Sequence, residues 1–483
     1  GFALEAGNAD QVDLLCRRLD GLPLALELAA TRVRALGLDR LVAGLDDRFR
    51  LLAAGQRGVP ARQQTLLATV DWSWRLLTAP ERIVLRRLAV HADGCTMEAA
   101  EAVCAAGDVA RPDVPETVAR LVDRSLVVRT DRGRYRLLES VSAFCVARLR
   151  EAGDLAATTA RHRDHYTTLA ERAHRELHGP EQARWLRVLD AESANLRAAL
   201  APREDPTAAI RLVRALAWYW FLRGRLGEGS RALRSALDAA PDPDAAAWLT
   251  GFSFLLGDVA EWPARHAAAV DALGDQAHAR WFLAYAEIDL GDVEATGKLL
   301  DDLLGTFRDD RWGTAATLSL TAKLAYIRGD AAGLARDGER SAALFRALGD
   351  RWGLLQATEW LGAHAAMTGD HETAVRLHTE GLAVARELGL WADVSGRLGW
   401  LGWIAMERGD HGTARAQCAE ALTLADEQGA PLLAAFATMG LAFAARRAGD
   451  LDAATTHLQR LLDAAERTEA DGGQPHPFRA PPG

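Results

Sequence analysis

Apolar residues recur every three or four positions along most of this chain, which is the pattern of amphipathic α-helices. The apolar side chains of residues 9–20 fall on one helical face, and residues 38–52 repeat that pattern. Between the two stretches, Gly21 suits the end of one helix and Pro23 suits the start of the next. The pattern predicts a small helical bundle over residues 1–56, followed by a linker that contains Gly and Pro.

Helix start signals and a hairpin signal organise residues 60–152. Thr78 with Glu81 three residues later indicates a capping box, and Pro80 suits an early helical position. Two short runs of β-branched and apolar residues then flank a turn at residues 131–133. Three helices followed by a hairpin is the element order of a winged helix, which we predict for this segment. The remaining helices are expected after Thr96 and over residues 115–124 and 141–151.

From about residue 205 the pattern is helical throughout, with short Gly-Asp turns between the helices. No single helical hairpin can bury its apolar face alone, so residues 205–468 predict an α-solenoid of tetratricopeptide-like hairpins, six or seven in number. Small Ala lets paired helices approach closely, and Leu fills the layer between hairpins. The positions that recur with a 40-residue period are Gly329, Gly369, Gly409 and Gly449, then Ala374, Ala414 and Ala454, and also Leu382, Leu422 and Leu462.

Two further segments complete the predicted domain organisation. Helices at 158–178 and 180–200 are expected to connect the winged helix to the array, within residues 153–204. The Gly/Pro-rich residues 469–483 predict a disordered tail. The predicted fold class is therefore mainly α, with a small helical bundle, a winged helix that carries a short β-hairpin, and an α-solenoid.

Composition narrows the function classes. The net charge of -9 argues against a protein that wraps nucleic acid along its whole length. The five cysteines form no C-x-x-C pair, which predicts no zinc site and fits a reducing cytoplasm. No apolar run approaches the ~20 residues of a membrane helix. Since no catalytic triad or paired carboxylates stand out, we expect a cytoplasmic protein without catalytic or metal-binding residues and without a membrane partner.

Residues 10–200 resemble the downstream part of STAND ATPases of the NB-ARC type. The closer resemblance is to large actinobacterial transcriptional regulators, namely the SARP-type antibiotic regulators and their LuxR-linked relatives. The segments that carry it are GLPLALELAATRVRAL, LDDRFRLL, RQQTLLATVDWSWRLL, RRLAVHADG, LVDRSLVV, YRLLESV and GPEQARWLRVLDAESANLRAAL. The resemblance implies that ADP or ATP with Mg²⁺ is held between a P-loop domain, a helical domain and the winged helix, and that exchange opens this closed state.

The same resemblance implies nucleotide contacts at Gly21, Leu22, Pro23 and Leu24, whose proline packs beside the adenine. It also aligns Leu138 with a histidine that touches the β-phosphate, and a leucine cannot donate that hydrogen bond. A P-loop needs Gly-Lys-Ser/Thr, whereas Gly297-Lys298 here precedes a leucine. We therefore predict no nucleotide hydrolysis by this chain, and we expect its nucleotide-binding partner domain and its DNA-binding domain to lie outside it, the latter upstream.

Two sets of residues are candidates for other contacts. The wing carries Arg129, Arg132, Arg134 and Arg136, with Arg120 and Arg124 before it, where contacts to DNA phosphates would be useful. The preceding helix carries acids and no Asn, Gln or Lys to read bases, which favours a solvated face. In the array, Trp360 and Trp400 recur in register and are expected in the core. Candidates for ligand contacts in the concave groove are Trp391, Trp403, His364 and His378.

Three functions follow from these observations. In the first, the repeats bind a protein or small-molecule signal, and the winged helix couples that event to the nucleotide-binding and DNA-binding domains of a transcriptional regulator. In the second, the repeats are a standalone scaffold for protein–protein interaction. In the third, the winged helix itself binds DNA.

Overall fold

The computed structural model of this 483-residue chain describes residues 8–18, isolated positions between 23 and 38, and then residues 69–201, 205–274, 276–289 and 292–470. It divides into two compact units, one of residues 1–168 with 192–202 and the other of residues 169–191 with 203–483. The fold is mainly α, as predicted. Helix α1 (Ala9–Arg18) belongs to the predicted N-terminal bundle. Most of residues 1–56 and the predicted tail from 471 onward lie outside the described residues.

The first unit contains the predicted winged helix. Thr78 and Glu81 form the expected capping box, in which the backbone N–H of Thr78 donates to the Glu81 carboxylate at 2.8 Å. Thr96 caps the next helix by accepting from the backbone N–H of Ala99 at 3.2 Å. The elements in chain order are α2 (Ala79–Leu88), α3 (Met97–Cys104), a 3-10 turn (Arg111–Asp113), α4 (Val114–Asp123), β1 (Val128–Arg129), β2 (Tyr135–Arg136) and α5 (Glu139–Glu151).

The hairpin of the wing is short because only two residues pair on each strand. Val128 faces Arg136 and Arg129 faces Tyr135 in antiparallel register. Gly133 lies in the turn with φ +74°, a conformation that suits glycine. Helix α4 buries Val114, Val118 and Leu121 at the spacing of one helical face. This face packs α4 into the core of the winged helix and leaves its polar face to solvent.

The connecting segment differs from the prediction of one helix over 180–200. It holds α6 (Leu155–Glu176), α7 (Gln182–Ala191) and α8 (Ser193–Leu200). Glu192 separates the last two helices with φ -100° and ψ 6°. Residues 192–202, which contain α8, belong to the first unit, whereas α7 belongs to the second unit.

The second unit is a stack of helical hairpins. In the regular part, a glycine with positive φ follows each helix, and Gly329 and Gly369, with φ of +73° and +81°, follow the first helices of their hairpins. Aspartates then cap the following helices, so the Gly-Asp turns act as predicted. The hairpins pair α9 (Pro206–Leu222) with α10 (Leu226–Leu237), α11 (Pro243–Leu255) with α12 (Trp262–Leu273), α13 (Ala277–Glu287) with α14 (Val293–Thr306), α15 (Arg311–Arg328) with α16 (Ala331–Leu348), α17 (Arg351–Met367) with α18 (His371–Leu388), α19 (Trp391–Glu407) with α20 (His411–Gln428), and α21 (Pro431–Arg447) with α22 (Leu451–Ala470).

The repeated small and aromatic residues form the core of this array. Ala374 and Ala414 are fully buried, and Trp360 and Trp400 lie in one hydrophobic cluster, as expected. Leu462 was expected to fill a layer between hairpins, but it is 57% exposed. It lies on α22, after which the structure describes no further hairpin that could cover it.

Candidate functional site

The array lines a cavity of about 190 Å³. Most of its wall comes from the first helix of successive hairpins and from the turns beside them. The aromatic residues of the wall are Phe221, Trp281, Tyr285, Phe345, Trp352 and Trp360. An engineered cavity of ~150 Å³ holds one benzene molecule, so this one has room for a group of about that size. Its polar lining residues are Asp289, Ser319, Lys323, Gln356, Glu359, Asp393 and Gln428.

The first hairpin reaches distant turns of the array beside this cavity. The Arg223 guanidinium donates to the carbonyl oxygens of Leu388 and Gly389, the second at 3.2 Å. The same guanidinium pairs with the Asp190 carboxylate, with 3.2 Å between Nε and Oδ1. Gly224 has φ +64°, and a Cβ there would lie 2.5 Å from Oε1 of Gln428. The hairpins therefore curl around the cavity, and Arg223 holds the beginning of the array to the end of its fifth hairpin.

One ammonium group already sits against this wall. The Lys323 ammonium pairs with the Asp289 carboxylate at 2.7 Å. It also lies 5.4 Å from the centre of the Trp360 ring, within the range of a cation–π interaction. The Lys323 side chain is only 17% exposed. The wall thus supplies both an aromatic face and a carboxylate to a desolvated cation.

Two more carboxylates line the cavity, and neutral side chains among the described residues donate hydrogen bonds to them. Glu359 accepts from the indole N–H of Trp400 at 3.1 Å, and its nearest guanidinium nitrogen belongs to Arg397 at 3.9 Å. Asp393 accepts from the side-chain amide of Gln356 at 2.6 Å. Burial, and then the nearby Glu359 charge, raise the pKa of Asp393 to about 7. The Asp393 carboxyl is therefore partly protonated at neutral pH and responds to any charge placed beside it.

The structure corrects two of the four predicted groove residues. His378 is fully buried, stacks on Trp400 and lies 3.2 Å from the Arg397 guanidinium, so it lies in the core between hairpins and does not line the cavity. Burial and that guanidinium lower the pKa of His378 far below its usual range. Trp403 is also buried, in a cluster with Met439. Both side chains therefore lie in the core of the array, which sequence spacing alone does not show.

The other two predicted groove residues are accessible. Trp391 is 43% exposed and lines a separate cleft of about 600 Å³, together with Arg187, Asp190 and Arg223. His364 is half-buried, and its backbone carbonyl accepts from the Thr368 hydroxyl. Neither residue lines the central cavity.

The wing arginines divide into two groups. Arg129 and Arg132 are exposed, and Arg136 is exposed with Asp93 at 3.9 Å. Arg134 instead donates to both carboxylate oxygens of Glu192, at 3.0 Å for the Nη2–Oε2 pair, and also to the Gly94 carbonyl. Arg134 therefore fastens the wing internally, and this corrects its grouping with the surface arginines.

The helix that precedes the wing presents exposed side chains of both signs. They include Glu116, Arg120 and Asp123, and Arg111 and Asp113 lie just before the helix. The guanidinium of Arg120 pairs with Glu116 at 2.6 Å. Arg124 pairs with the buried Glu81 at 3.3 Å. Because both arginines are paired with carboxylates, they are less available for contacts to DNA phosphates.

The position that aligns with the phosphate-touching histidine offers no donor. Leu138 lies just before α5, beside a cleft of about 480 Å³. The ionisable side chains that line this cleft include Asp93, Arg136 and Glu139. His91 also lines it, and burial lowers the pKa of His91 to about 3, which keeps the ring neutral. The described surface near Leu138 is therefore not built to attract phosphate.

The other residues with implied nucleotide contacts are only partly covered. Pro23 is helical and exposed. Gly21, Leu22 and Leu24 lie outside the described residues.

Glu192 and Asn195, which the sequence analysis does not single out, form a hydrogen-bond network within the first unit. Asn195 is fully buried, and its side-chain amide donates to the Gly94 carbonyl at 2.9 Å and to Glu192 at 2.8 Å. Its carbonyl oxygen accepts from the backbone N–H of Ala92 at 2.9 Å. The available signal was a Glu and an Asn three residues apart inside an otherwise apolar helical stretch.

The described residues were also considered for a metal site, a membrane-spanning helix and reactive cysteines. Among them, no group of three or more His, Cys, Asp or Glu side chains is arranged to hold a metal ion. No helix in the described part has the length and apolar character needed to cross a membrane. The five cysteines are free, and burial raises the pKa of Cys95, Cys145 and Cys418 to about 12.

The sequence matches one known domain family over part of its length. Residues 77–150 match the family described as "Winged helix-turn-helix domain". Over 244 residues, 49% of this chain, the sequence is 44% identical to a protein of Mycobacterium tuberculosis named "Putative HTH-type transcriptional regulator". The match covers 27% of that relative's length. This chain is therefore similar to transcriptional regulators and carries a winged helix-turn-helix domain.

Solved structures with similar helix arrangements include two repeat proteins. One is a STAND protein with a tetratricopeptide repeat sensor from Pyrococcus horikoshii, with a TM-score of 0.46 at 11% identity, covering 93% of this chain and 74% of that one. The other is the apo form of the quorum sensor NprR from B. thuringiensis, with a TM-score of 0.44 at 13% identity, covering 73% and 99%. At these TM-scores and sequence identities, the similarity is limited to the arrangement of the helices.

Proposed function

We propose that this chain is the sensor and coupling part of a transcriptional regulator, and that a small-molecule signal binds in the central cavity of its repeats. The observation that carries the proposal is the cavity of about 190 Å³, which the hairpins enclose with aromatic and charged side chains. Cavities of this kind are the usual small-molecule sites of proteins. The free cysteines are consistent with the cytoplasmic location that we expect.

In this proposal the winged helix couples the repeats to a nucleotide-binding domain of the STAND, NB-ARC-like type, as the sequence resemblance implies. The pairing of Arg120 and Arg124 with carboxylates and the internal use of Arg134 favour a coupling role over DNA reading. ADP or ATP with Mg²⁺ and the DNA contacts would then belong to domains outside these 483 residues. The ligand must bind the open and closed states with different affinities if it is to switch them.

A cavity-filling variant tests the sensor role. Ala392 lines the cavity, so Ala392→Trp should block it. Ala416 is exposed on α20 of the same hairpin, and Ala416→Trp is the matched control. We expect small-molecule fractions from the host to raise the thermal unfolding midpoint of the wild type and of the control, but not of the blocked variant. Binding at ~100 times Kd adds about 2.7 kcal/mol to stability, which a thermal shift resolves.

Absence of any such shift in the wild type would remove the sensor role. A shift of equal size in Ala392→Trp would place the ligand elsewhere.

The coupling role predicts association with the nucleotide-binding domain of the full regulator. We expect the two parts to associate in a pull-down, with an affinity that changes when ADP replaces ATP. The chain alone should release no phosphate from ATP, because its only Gly-Lys pair, Gly297-Lys298, lacks the following Ser or Thr. Association that is insensitive to nucleotide would favour the standalone scaffold instead.

DNA binding by the winged helix is the second candidate, and the exposed Arg129 and Arg132 favour it. We expect no sequence-selective gel shift of duplex DNA by this chain, even at ~50 mM salt. The matched variants are Arg132→Ala in the wing and Arg197→Ala, an exposed arginine on α8. A selective shift that Arg132→Ala abolishes and Arg197→Ala preserves would establish the DNA-binding candidate.

A further inference from the structure

We propose that the ligand of the central cavity is a small organic cation, in which an ammonium or guanidinium group is carried on an apolar body. This inference rests on the proposed function and specifies its ligand. The charged side chains that line the cavity are three carboxylates and one ammonium: Asp289, Glu359, Asp393 and Lys323. The buried Arg397, which does not line the cavity, adds a second positive charge 3.9 Å from Glu359. Three carboxylates therefore face two cations and leave one negative charge that a ligand cation would neutralise.

The carboxylates are not equivalent. Asp289 already has a partner, since Lys323 binds it at 2.7 Å. Among the described residues, Asp393 forms no ion pair, and its close partner is the neutral amide of Gln356 at 2.6 Å. Glu359 is 3.9 Å from the nearest Arg397 nitrogen, beyond hydrogen-bond distance. Asp393 and Glu359 are therefore the two carboxylates available to a ligand.

Lys323 shows that this wall accommodates an ammonium. Its Nζ atom lies 5.4 Å from the centre of the Trp360 ring and is bound to a carboxylate. An aromatic face combined with a carboxylate is the recognition chemistry of organic cations. The chain has 57 basic residues, of which only Lys298 and Lys323 are lysines. An added ammonium group would compete with Lys323 or bind beside it, against Asp393 and Glu359.

The size of the cavity limits the apolar body. A volume of about 190 Å³ holds roughly one aromatic ring or a short aliphatic chain. Phe221, Trp281 and Trp352 provide the apolar surface for it. The enclosed space thus favours a small amine over a folded partner protein.

The Asp393 carboxyl also gives ligand binding a pH dependence that can be tested. The groups that face Asp393 are Glu359 and Tyr285 from neighbouring helices, and Arg397 from its own helix. The pKa of Asp393 is about 7 in the free protein, and a cation beside it would lower that pKa. Binding should therefore release protons and strengthen as the pH rises from 6 to 8.

The test uses 2-phenylethylammonium as the probe, with neutral N-acetyl-2-phenylethylamine and anionic 3-phenylpropionate as matched analogues. We expect calorimetric titration of the whole chain at pH 8 to show probe binding that is at least ~10-fold tighter than that of either analogue, a difference of about 1.4 kcal/mol. Asp393→Asn should weaken probe binding ~10-fold and remove its pH dependence. Asp452→Asn, an exposed position on α22, is the control and should change neither.

Lys323→Met gives a second readout that a purely structural role would not produce. It removes the internal ammonium and should tighten probe binding several-fold, because Asp289 and the Trp360 face become free. The cation assignment is overturned if the ammonium probe shows no Asp393-dependent binding up to ~10 mM. It is also overturned if the anionic analogue binds more tightly than the ammonium probe. If host fractions still shift the wild type and not Ala392→Trp, the sensor function stands and only its ligand class is wrong.

Discussion

Asp350→Ala should lower the free energy of unfolding of the repeat array by about 3 kcal/mol, against about 1 kcal/mol for the same change at Asp370. Both aspartates cap a helix by accepting from a backbone N–H three residues later. Asp370 is exposed and does only this. Asp350 is 1% exposed and also accepts from the Trp312 indole N–H at 2.8 Å and from the Gln182 amide at 3.2 Å.

The larger effect arises because the variant leaves buried donors without an acceptor. An unsatisfied buried polar group costs about 1–3 kcal/mol, in addition to the lost cap. Urea denaturation followed by circular dichroism measures both variants against the wild type. Equal losses for Asp350→Ala and Asp370→Ala would show that the contacts to Trp312 and Gln182 contribute nothing.

Asp350 also gives the array a pH dependence. Burial raises the pKa of Asp350 to about 6, so the folded protein holds this proton more tightly than the unfolded chain does. The contribution of this group to stability is therefore greatest below pH 4 and declines as the pH rises through 6. Comparison of the wild type with Asp350→Ala across this range should show the decline in the wild type alone.

Asn195→Ala should destabilise the winged-helix unit by about 3 kcal/mol. The variant removes the acceptor of the Ala92 N–H and the donor to the Gly94 carbonyl, and it also takes a hydrogen bond from Glu192. Because Glu192 in turn pairs with Arg134 of the wing, the loss should extend to the hairpin.

Hydrogen exchange of the amides at residues 92–95 and 134–136 is the most direct readout of this change. Arg197→Ala, on the exposed face of the same helix, is the control and should cost less than ~0.5 kcal/mol. Unchanged protection of the wing in Asn195→Ala would contradict the role that we assign to this residue.

Features decided within a few residues could be predicted from the sequence. The capping box at Thr78 and the Gly-Asp turns depend on hydrogen bonds between residues that are close in sequence. The residue types at these positions therefore predict both features. The break at Glu192 is not predicted by the local pattern, and the Glu192 carboxylate pairs with Arg134, 58 positions away, a contact that neighbouring residues do not encode. Spacing also placed Trp360 in the core correctly, since it recurs in register with Trp400.

The candidate site depended more on contacts between distant residues. Arg223 binds the turn at Leu388 and Gly389, which lies 165 and 166 positions further along the chain. No local pattern encodes that closure, and it determines which side chains line the cavity. Sequence reasoning therefore proposed His378 and Trp403 for the groove, whereas the cavity is lined by Glu359, Asp393 and their neighbours.

Native mass spectrometry of the chain, after equilibration with small molecules from its host, is the most direct test of a ligand site in the central cavity. We expect one small-molecule adduct on the wild type and on Ala416→Trp, and none on Ala392→Trp, whose new side chain fills the cavity. Bare protein in all three samples, or the same adduct on all three, would contradict a sensor site at the centre of the repeats.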